Sequence, residues 1–513
     1  MPLPRQPLKP RTRKPRSVST TLAEARLGVP SVTFFVISAA TPLTVVAGVV
    51  TTGYAVTGIT GLPLGFLIIG AVLALFCMGY VAMARDVANA GAFSAYIARG
   101  IGRPIGVAGA WVAVAAYNAL QVGLYGVIGA AATPLLAVWL SLQLPWWAVA
   151  LVAWLLVAVL GLLHVDLNSR VLAVLLVAEV AIILLYSLAN LTHPATGTVR
   201  FDGLDPTTLA TPGLGAVLAL AVLGFVGFES TVVYSEEARD PQRTIRIASF
   251  ITVAVITALY TMSSWAMTVA TGPDQIITQS QTHSAELIFH LAGQHLGPTL
   301  VDLGRVLFVT SVLAAMISFH NTTARYIFAL GRERVLPEIL GHTSPRTGAP
   351  QLGSLLQTAV GLAVILLYAT AGWDPVAHLF FWGGTAGGVG VLLLITTTAI
   401  AIVRHLARTP TTKTTWRFLA APVLAATALI LVLVLALTNL PTLLGVPPDS
   451  PVPWLIPCAY LTFAALGALW ALVLYHRRPT AYRSIGLGAK SAALRSGGPV
   501  PDHSDFQWDR PPS

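Results

Sequence analysis

Charge is what this chain most lacks. Only 10% of its 513 residues are Asp, Glu, Lys or Arg, while 55% are hydrophobic; an ordinary soluble domain is about a quarter charged. So little charge cannot cover the surface of a water-soluble globule of this length. Cysteine is scarcer still. Cys77 and Cys458 both fall inside apolar runs, which argues against a disulfide framework or a cysteine-based metal site. The sequence also has no P-loop, no His-Glu-x-x-His, no cysteine cluster and no serine nucleophile elbow. No enzyme is therefore expected and no cofactor is implied. The apolar runs are continuous, not alternating strands of about ten residues, which excludes a transmembrane β-barrel. The basic start, Arg5 to Arg16, is too long and too Pro-rich for a cleavable signal peptide.

What the chain does have is apolar length. A membrane-spanning helix needs about 20 apolar residues. Runs between charged or Pro/Gly-rich breaks give twelve candidates. The first six cover residues 31–53, 63–84, 105–139, 146–164, 170–190 and 213–234. The second six cover 246–270, 299–324, 352–371, 375–403, 418–439 and 454–475. The expected fold is an all-α integral membrane protein with 12 transmembrane helices. Span three is long, and is expected to tilt or to end early near Pro134.

Basic residues set the orientation, because short cytoplasmic loops carry the excess of Lys and Arg. All but two of the 30 fall in the tails or next to even-numbered loops, the exceptions being Arg200 and Arg305. This predicts a multi-pass cell-membrane protein with N- and C-termini cytoplasmic. It also accounts for the net charge of +10 as topology, so no nucleic acid partner is expected. The tails, about 1–28 and 476–513, are Pro-, Ser- and Arg-rich and are read as disordered or as anchors on membrane lipid headgroups.

Two spans are built to break. Span one contains Ser38-Ala39-Ala40-Thr41-Pro42-Leu43-Thr44, where Pro42 removes a donor and clashes with the preceding turn. Span six contains Gly224-Phe225-Val226-Gly227-Phe228-Glu229-Ser230, two glycines and a carboxylate in seven residues. These are corresponding positions in two halves of five helices. Matching interruptions of that kind point to a transporter substrate site at mid-membrane. The outer half of span one would aim N–H groups at a substrate carboxylate, and the unwound carbonyls of span six would receive an ammonium. Such a site suits a zwitterion.

These stretches carry a family resemblance. Gly224 to Ser230, followed by Ser235-Glu236-Glu237-Ala238-Arg239-Asp240-Pro241-Gln242-Arg243-Thr244-Ile245, resembles the span-six pattern of the amino acid–polyamine–organocation (APC) transporters, the amino acid permeases. Asn89 to Gly102 is similar to the family's glycine- and tyrosine-rich stretch after span two. Arg325, Gly331 to Pro337 and Gly348-Ala349-Pro350 resemble the run after its span eight. The resemblance implies a five-plus-five inverted-repeat core of the leucine-transporter type with discontinuous helices 1 and 6. It also implies alternating access, and transport of an amino acid or amine coupled to protons or by exchange. On that reading residues 29–404 form the ten-helix transport core, flanked by a basic tail (1–28), helices 11 and 12 (405–475) and a second tail (476–513). One departure stands out: Thr41-Pro42-Leu43-Thr44 occupies the place where the family usually carries Gly-Ser/Thr-Gly, and this leaves the substrate class open.

Ionisable groups at membrane depth are costly and default to a functional reading. Glu229, where the family's span-six glutamate sits, is either a proton-linked switch or a carboxyl bonding loosened backbone. Glu179, mid-span five, stands where some relatives carry a lysine. It either carries the transported proton, holds a cation, or bonds a neighbouring helix. Asn118, Gln121 and Tyr125 share one face of span three, lining substrate or bonding between helices. His320 in span eight is a proton relay or an interface histidine, and Thr310 and Ser311 are weak candidates for a sodium site. Phe225, Phe228, Phe381 and Trp382 are candidate gates. Glu236 and Glu237 face Arg239 and Arg243 as an inner gate or a solvated helix end.

The combined expectation is an amino acid transporter whose substrate sits among Ala39, Ala40, Thr41, Pro42, Leu43, Thr44, Asn118, Gln121, Phe225, Val226, Gly227 and Phe228. Glu179 and Glu229 are the protonation sites, and Phe381 and Trp382 the gates. No metal ligand is expected. The alternatives are a polyamine or other organic-cation carrier, and a channel or non-transporting nutrient receptor of the same fold.

Overall fold

A computed structural model describes residues 27–84, 91–162, 165–235, 238–344, 347–408, 416–488 and 491. Residues before 27, most of those after 488, and Arg85, Asn89, Ala90, His164, Glu236, Glu237, Arg346 and Lys413 lie outside this set. Among the described residues the architecture is helical, with one isolated bridge between Leu27 and Ala238.

Among the described residues eleven helices are long and apolar enough to cross a membrane. Numbered by the twelve sequence runs, they are span one (Val29–Thr57), two (Leu62–Ala84), three (Arg103–Leu140), five (Ala173–Thr192), six (Leu214–Thr231) and seven (Gln242–Thr271). The rest are span eight (Pro298–Arg332), nine (Gln351–Ala371), ten (Pro375–Arg408), eleven (Leu419–Thr438) and twelve (Val452–Arg477). The run expected as span four forms a shorter apolar helix, Trp146–Gly161, of 16 residues. Leucine, isoleucine and tryptophan side chains stand exposed on the outer helices, for example Leu424, Leu461 and Trp454. A water-soluble protein would have to cover them; lipid does not require it.

Two expectations change. Span three does not end at Pro134: its helix runs 38 residues to Leu140. The cost of an interior proline is local, and Thr133 returns a hydroxyl hydrogen bond to the Gly129 carbonyl at 2.7 Å one turn back. The start of the C-terminal tail is folded, not disordered. Residues Pro479–Ser484 form a helical turn, and Tyr482 and Ile485 are buried against Ala98, Val107 and Leu330. The N–H groups of Gly486 and Gly488 donate to the two carboxylate oxygens of buried Glu333, each at 2.9 Å.

Both expected interruptions are present. The first half of span one ends at Ala39; Ala40 caps it, Thr41 turns left-handed at φ 43°, and Pro42 opens the second half. Proline suits that place because a first-turn N–H has no intrahelical partner to lose. The chain then widens into a π-helical turn over Val45–Val50. Span six is helical over Leu214–Phe225, extends at Val226, turns at Gly227 (φ 113°) and resumes as a 3-10 turn over Phe228–Thr231. Its continuation is tied to the start of span one, where the Arg239 N–H donates to the Leu27 carbonyl at 2.9 Å.

Candidate functional site

The two breaks touch. A Cβ built on Gly227 would lie 2.8 Å from the Ala39 carbonyl carbon, so only glycine lets the chains approach this closely. Broken helices leave backbone groups bare, and at membrane depth each needs a partner. Tyrosines supply several of them. The Tyr260 hydroxyl of span seven donates to the Ala40 carbonyl at 2.9 Å. The Tyr80 hydroxyl of span two donates to the Glu229 carbonyl, also at 2.9 Å.

Each break also holds a buried carboxylate. Glu229 Oε1 accepts from the Tyr117 hydroxyl of span three, and its Oε2 accepts from the Gly227 N–H at 2.9 Å. The carboxyl thus folds back over its own break. Glu179 comes from span five and serves span one. Ser311 of span eight donates to it at 2.8 Å, Thr44 donates to Ser311 at 3.1 Å, and the backbone of Leu43 bonds the same carboxyl. Leu43 follows Pro42 in the first turn of the outer half-helix, so Glu179 caps the helix end expected to face a substrate carboxylate.

Beside the breaks lies a cavity of about 70 Å³. That is several times the space one water needs, so a small organic solute fits. Span one contributes Ala39, Ala40, Thr41 and Thr44, and its π-helical turn contributes Val45, Gly48 and Val49. Leu120 and Leu124 come from span three, Leu220, Leu223 and Val226 from span six, and Phe319 from span eight. Span ten contributes Phe380 and Phe381 from a second π-helical turn, Pro375–Phe381, then Gly384 and Thr385. Such π turns recur at functional sites, and here both border one cavity.

Of the residues expected at the site, Ala39, Ala40, Thr41, Thr44, Val226 and Phe381 line this cavity. Pro42, Leu43, Gly227, Glu179 and Glu229 shape or cap the breaks without lining it. Phe225 packs between Phe66 and Tyr260, and Phe228 against Phe76. Trp382 turns toward Leu444, whose carbonyl accepts its indole N–H at 3.3 Å. Asn118 bonds the Val114 carbonyl and Gln121 the Tyr125 hydroxyl. The wall of span three belongs instead to Leu120 and Leu124, since one helical step turns a side chain by about 100°. His320 is an interface residue, 2.7 Å from Ser354 Oγ of span nine. Thr310 bonds its own helix at Leu307. Sequence reasoning missed Tyr80, Tyr260, Phe319, Phe380 and the four leucines. A leucine in an apolar run carries no local mark of facing a cavity.

Comparison with known proteins decides the family. The amino acid permease family model matches residues 27–466. The chain belongs to the amino acid permease family. Family membership and the apolar helices make it a multi-pass membrane protein. It is similar to the cationic amino acid transporter 5 of Arabidopsis thaliana, with 26% identity over 37% of this chain and 31% of the relative. It is similar to the branched-chain amino acid permease BcaP of Bacillus subtilis (strain 168), with 24% identity over 44% and 45%. The low-affinity putrescine importer PlaP of Escherichia coli (strain K12) matches at 26% over 29% and 32%. The permease therefore spans less than half the length of each of these relatives, and their names give three different substrates.

Proposed function

We propose that this permease is a secondary active transporter that moves an amino acid across the cell membrane by alternating access, driven by protons or by exchange. The observation that carries the reading is the pair of facing breaks in spans one and six beside a cavity at their junction. Residues 29–404 act as a five-plus-five inverted-repeat core, with helices 11 and 12 (405–475) outside it. Trp146–Gly161 completes a set of twelve spans, and both termini lie in the cytoplasm. Spans one, two, six and seven rock as a bundle against three, four, five and eight. The Leu27–Arg239 hydrogen bond supports this grouping by joining the inner ends of spans one and six.

Substrate binds against Ala39, Ala40, Thr41, Thr44 and Val226, and Phe381 closes over it. Glu229 and Glu179 take up and release the proton, because each carboxyl holds a break through hydrogen bonds that depend on its charge. Full-length protein in liposomes tests this by uptake of radiolabelled amino acids with and without an inward proton gradient. Saturable, gradient-stimulated uptake that also shows counterflow is expected; binding without flux would indicate a receptor. Glu179→Gln is expected to retain the Ser311 hydrogen bond while losing most of the gradient stimulation. Full stimulation in that variant removes Glu179 from the coupling.

A further inference from the structure

Relatives of this permease are named for cationic amino acids, for branched-chain amino acids and for putrescine. The wall of the cavity chooses among such classes. We infer that the substrate is a neutral amino acid with a compact apolar side chain, and that cationic and anionic amino acids and diamines are excluded. This rests on the transport reading above and narrows it.

A second charge on the substrate would need a partner in the wall, because an unpaired ion in an apolar site is strongly disfavoured. Among the described residues no acidic or basic side chain lines the cavity, and its polar side chains are the threonines Thr41, Thr44 and Thr385. Glu229 and Glu179 are the carboxylates nearest the breaks, and both are buried and engaged. Glu229 is held by Tyr117 and its own loop at Gly227, and Glu179 by Ser311. A lysine, arginine or putrescine ammonium would have to break one of those sets to find a counter-charge.

The lining mixes two chemistries. Thr41 and Thr44 stand at the break of span one and offer hydroxyls to a zwitterionic head. Leu120, Leu124, Leu220 and Leu223 supply an aliphatic wall, joined by Phe319 and Phe380. That wall offers dispersion and burial and nothing else, which rewards a branched aliphatic side chain. A volume of about 70 Å³ favours a compact one.

The test uses full-length protein in liposomes, with direct uptake of radiolabelled leucine, valine, phenylalanine, lysine, arginine, glutamate and putrescine and with cross-competition among them. Leucine or valine is expected to be taken up saturably, with lysine, arginine, glutamate and putrescine competing at least 100-fold more weakly. Saturable lysine or putrescine uptake comparable with that of leucine overturns the inference while leaving amino acid or amine transport standing. If none of the compounds moves, the transport reading falls and this inference falls with it. Leu124→Ala, with Leu120→Ala as a second variant in case the first folds poorly, is expected to shift the phenylalanine-to-valine uptake ratio about 10-fold toward phenylalanine. An unchanged ratio in both variants, each with wild-type thermal stability, also overturns it.

Discussion

The two breaks do the same job with opposite chemistry. Span six bends at a glycine, Gly227, and supplies its own carboxylate two residues later to bond the loosened N–H. Span one bends at a threonine forced left-handed in front of a proline, and borrows its carboxylate from span five. The first closes on itself through Gly227 and Glu229, with Tyr80 and Tyr117 of spans two and three adding donors. The second is assembled across spans, from Glu179 of span five, Tyr260 of span seven and Ser311 of span eight. A mostly local device tolerates little change in its own residues; an assembled one tolerates local change and depends more on distant partners.

Breaking the local device should have the largest effect. Gly227→Ala places a side chain at φ 113° with its Cβ 2.8 Å from the Ala39 backbone. A destabilisation of about 2–4 kcal/mol is expected, together with loss of transport. Thermal unfolding in detergent and liposome uptake measure the two, and a variant with wild-type stability would refute the contact. Next comes Tyr117→Phe, which leaves Glu229 without its span-three donor. A loss of about 1–3 kcal/mol is expected for a buried carboxyl deprived of a partner. The double variant with Glu229→Gln measures the coupling, and additive losses would show that the two side chains act independently.

Thr41→Gly sharpens the contrast from the other side. A non-glycine residue in the left-handed region costs about 1–2 kcal/mol, while glycine raises the entropy of the unfolded chain by about 0.5–1 kcal/mol. The net change should be neutral or slightly stabilising, within about 1 kcal/mol by the same principles. A loss as large as that from Gly227→Ala would erase the distinction between the two breaks.

The smallest effect lies outside the membrane spans. Between spans seven and eight, helices Ile276–His283 and Leu287–His295 are joined by His283 stacked on His290, ring centres 4.0 Å apart. Desolvation, and then the neighbouring His283, hold the His290 pKa below its ordinary 6.5. The folded state therefore binds this proton more weakly than the unfolded one. The stack is at full strength above pH 6.5 and weakens as pH falls through the depressed value. Hydrogen exchange over residues 276–295, corrected for intrinsic rates, should show faster opening at pH 5 than at pH 7.5. His283→Gln should flatten that difference.

The membrane class, most of the spans and both breaks were legible because each is written in adjacent residues. Long apolar runs, Thr41-Pro42 and Gly224 to Glu229 carry their consequences within one or two helical turns. Span four was legible as an apolar run but folds to only 16 helical residues. The lining of the cavity was half legible. Ala39, Ala40, Thr41, Thr44 and Val226 follow from the breaks themselves, whereas Asn118 and Gln121 drew attention by being polar in an apolar helix. Their polarity is spent on Val114 and Tyr125, and the cavity sees the leucines beside them.

Residue order alone determined that the chain crosses a membrane as helices and that two of those helices cannot run straight, because backbone satisfaction and proline or glycine sterics act over a few residues. Which side chains repair the breaks, and which ones line the cavity, was decided only by the packing of spans three, five, seven, eight and ten around them. Tyr260, Ser311 and Leu223 lie far along the chain from the Thr41 break, and nothing in their local sequence sets them apart. Their roles arise from contact across helices, which a chain acquires only when it folds.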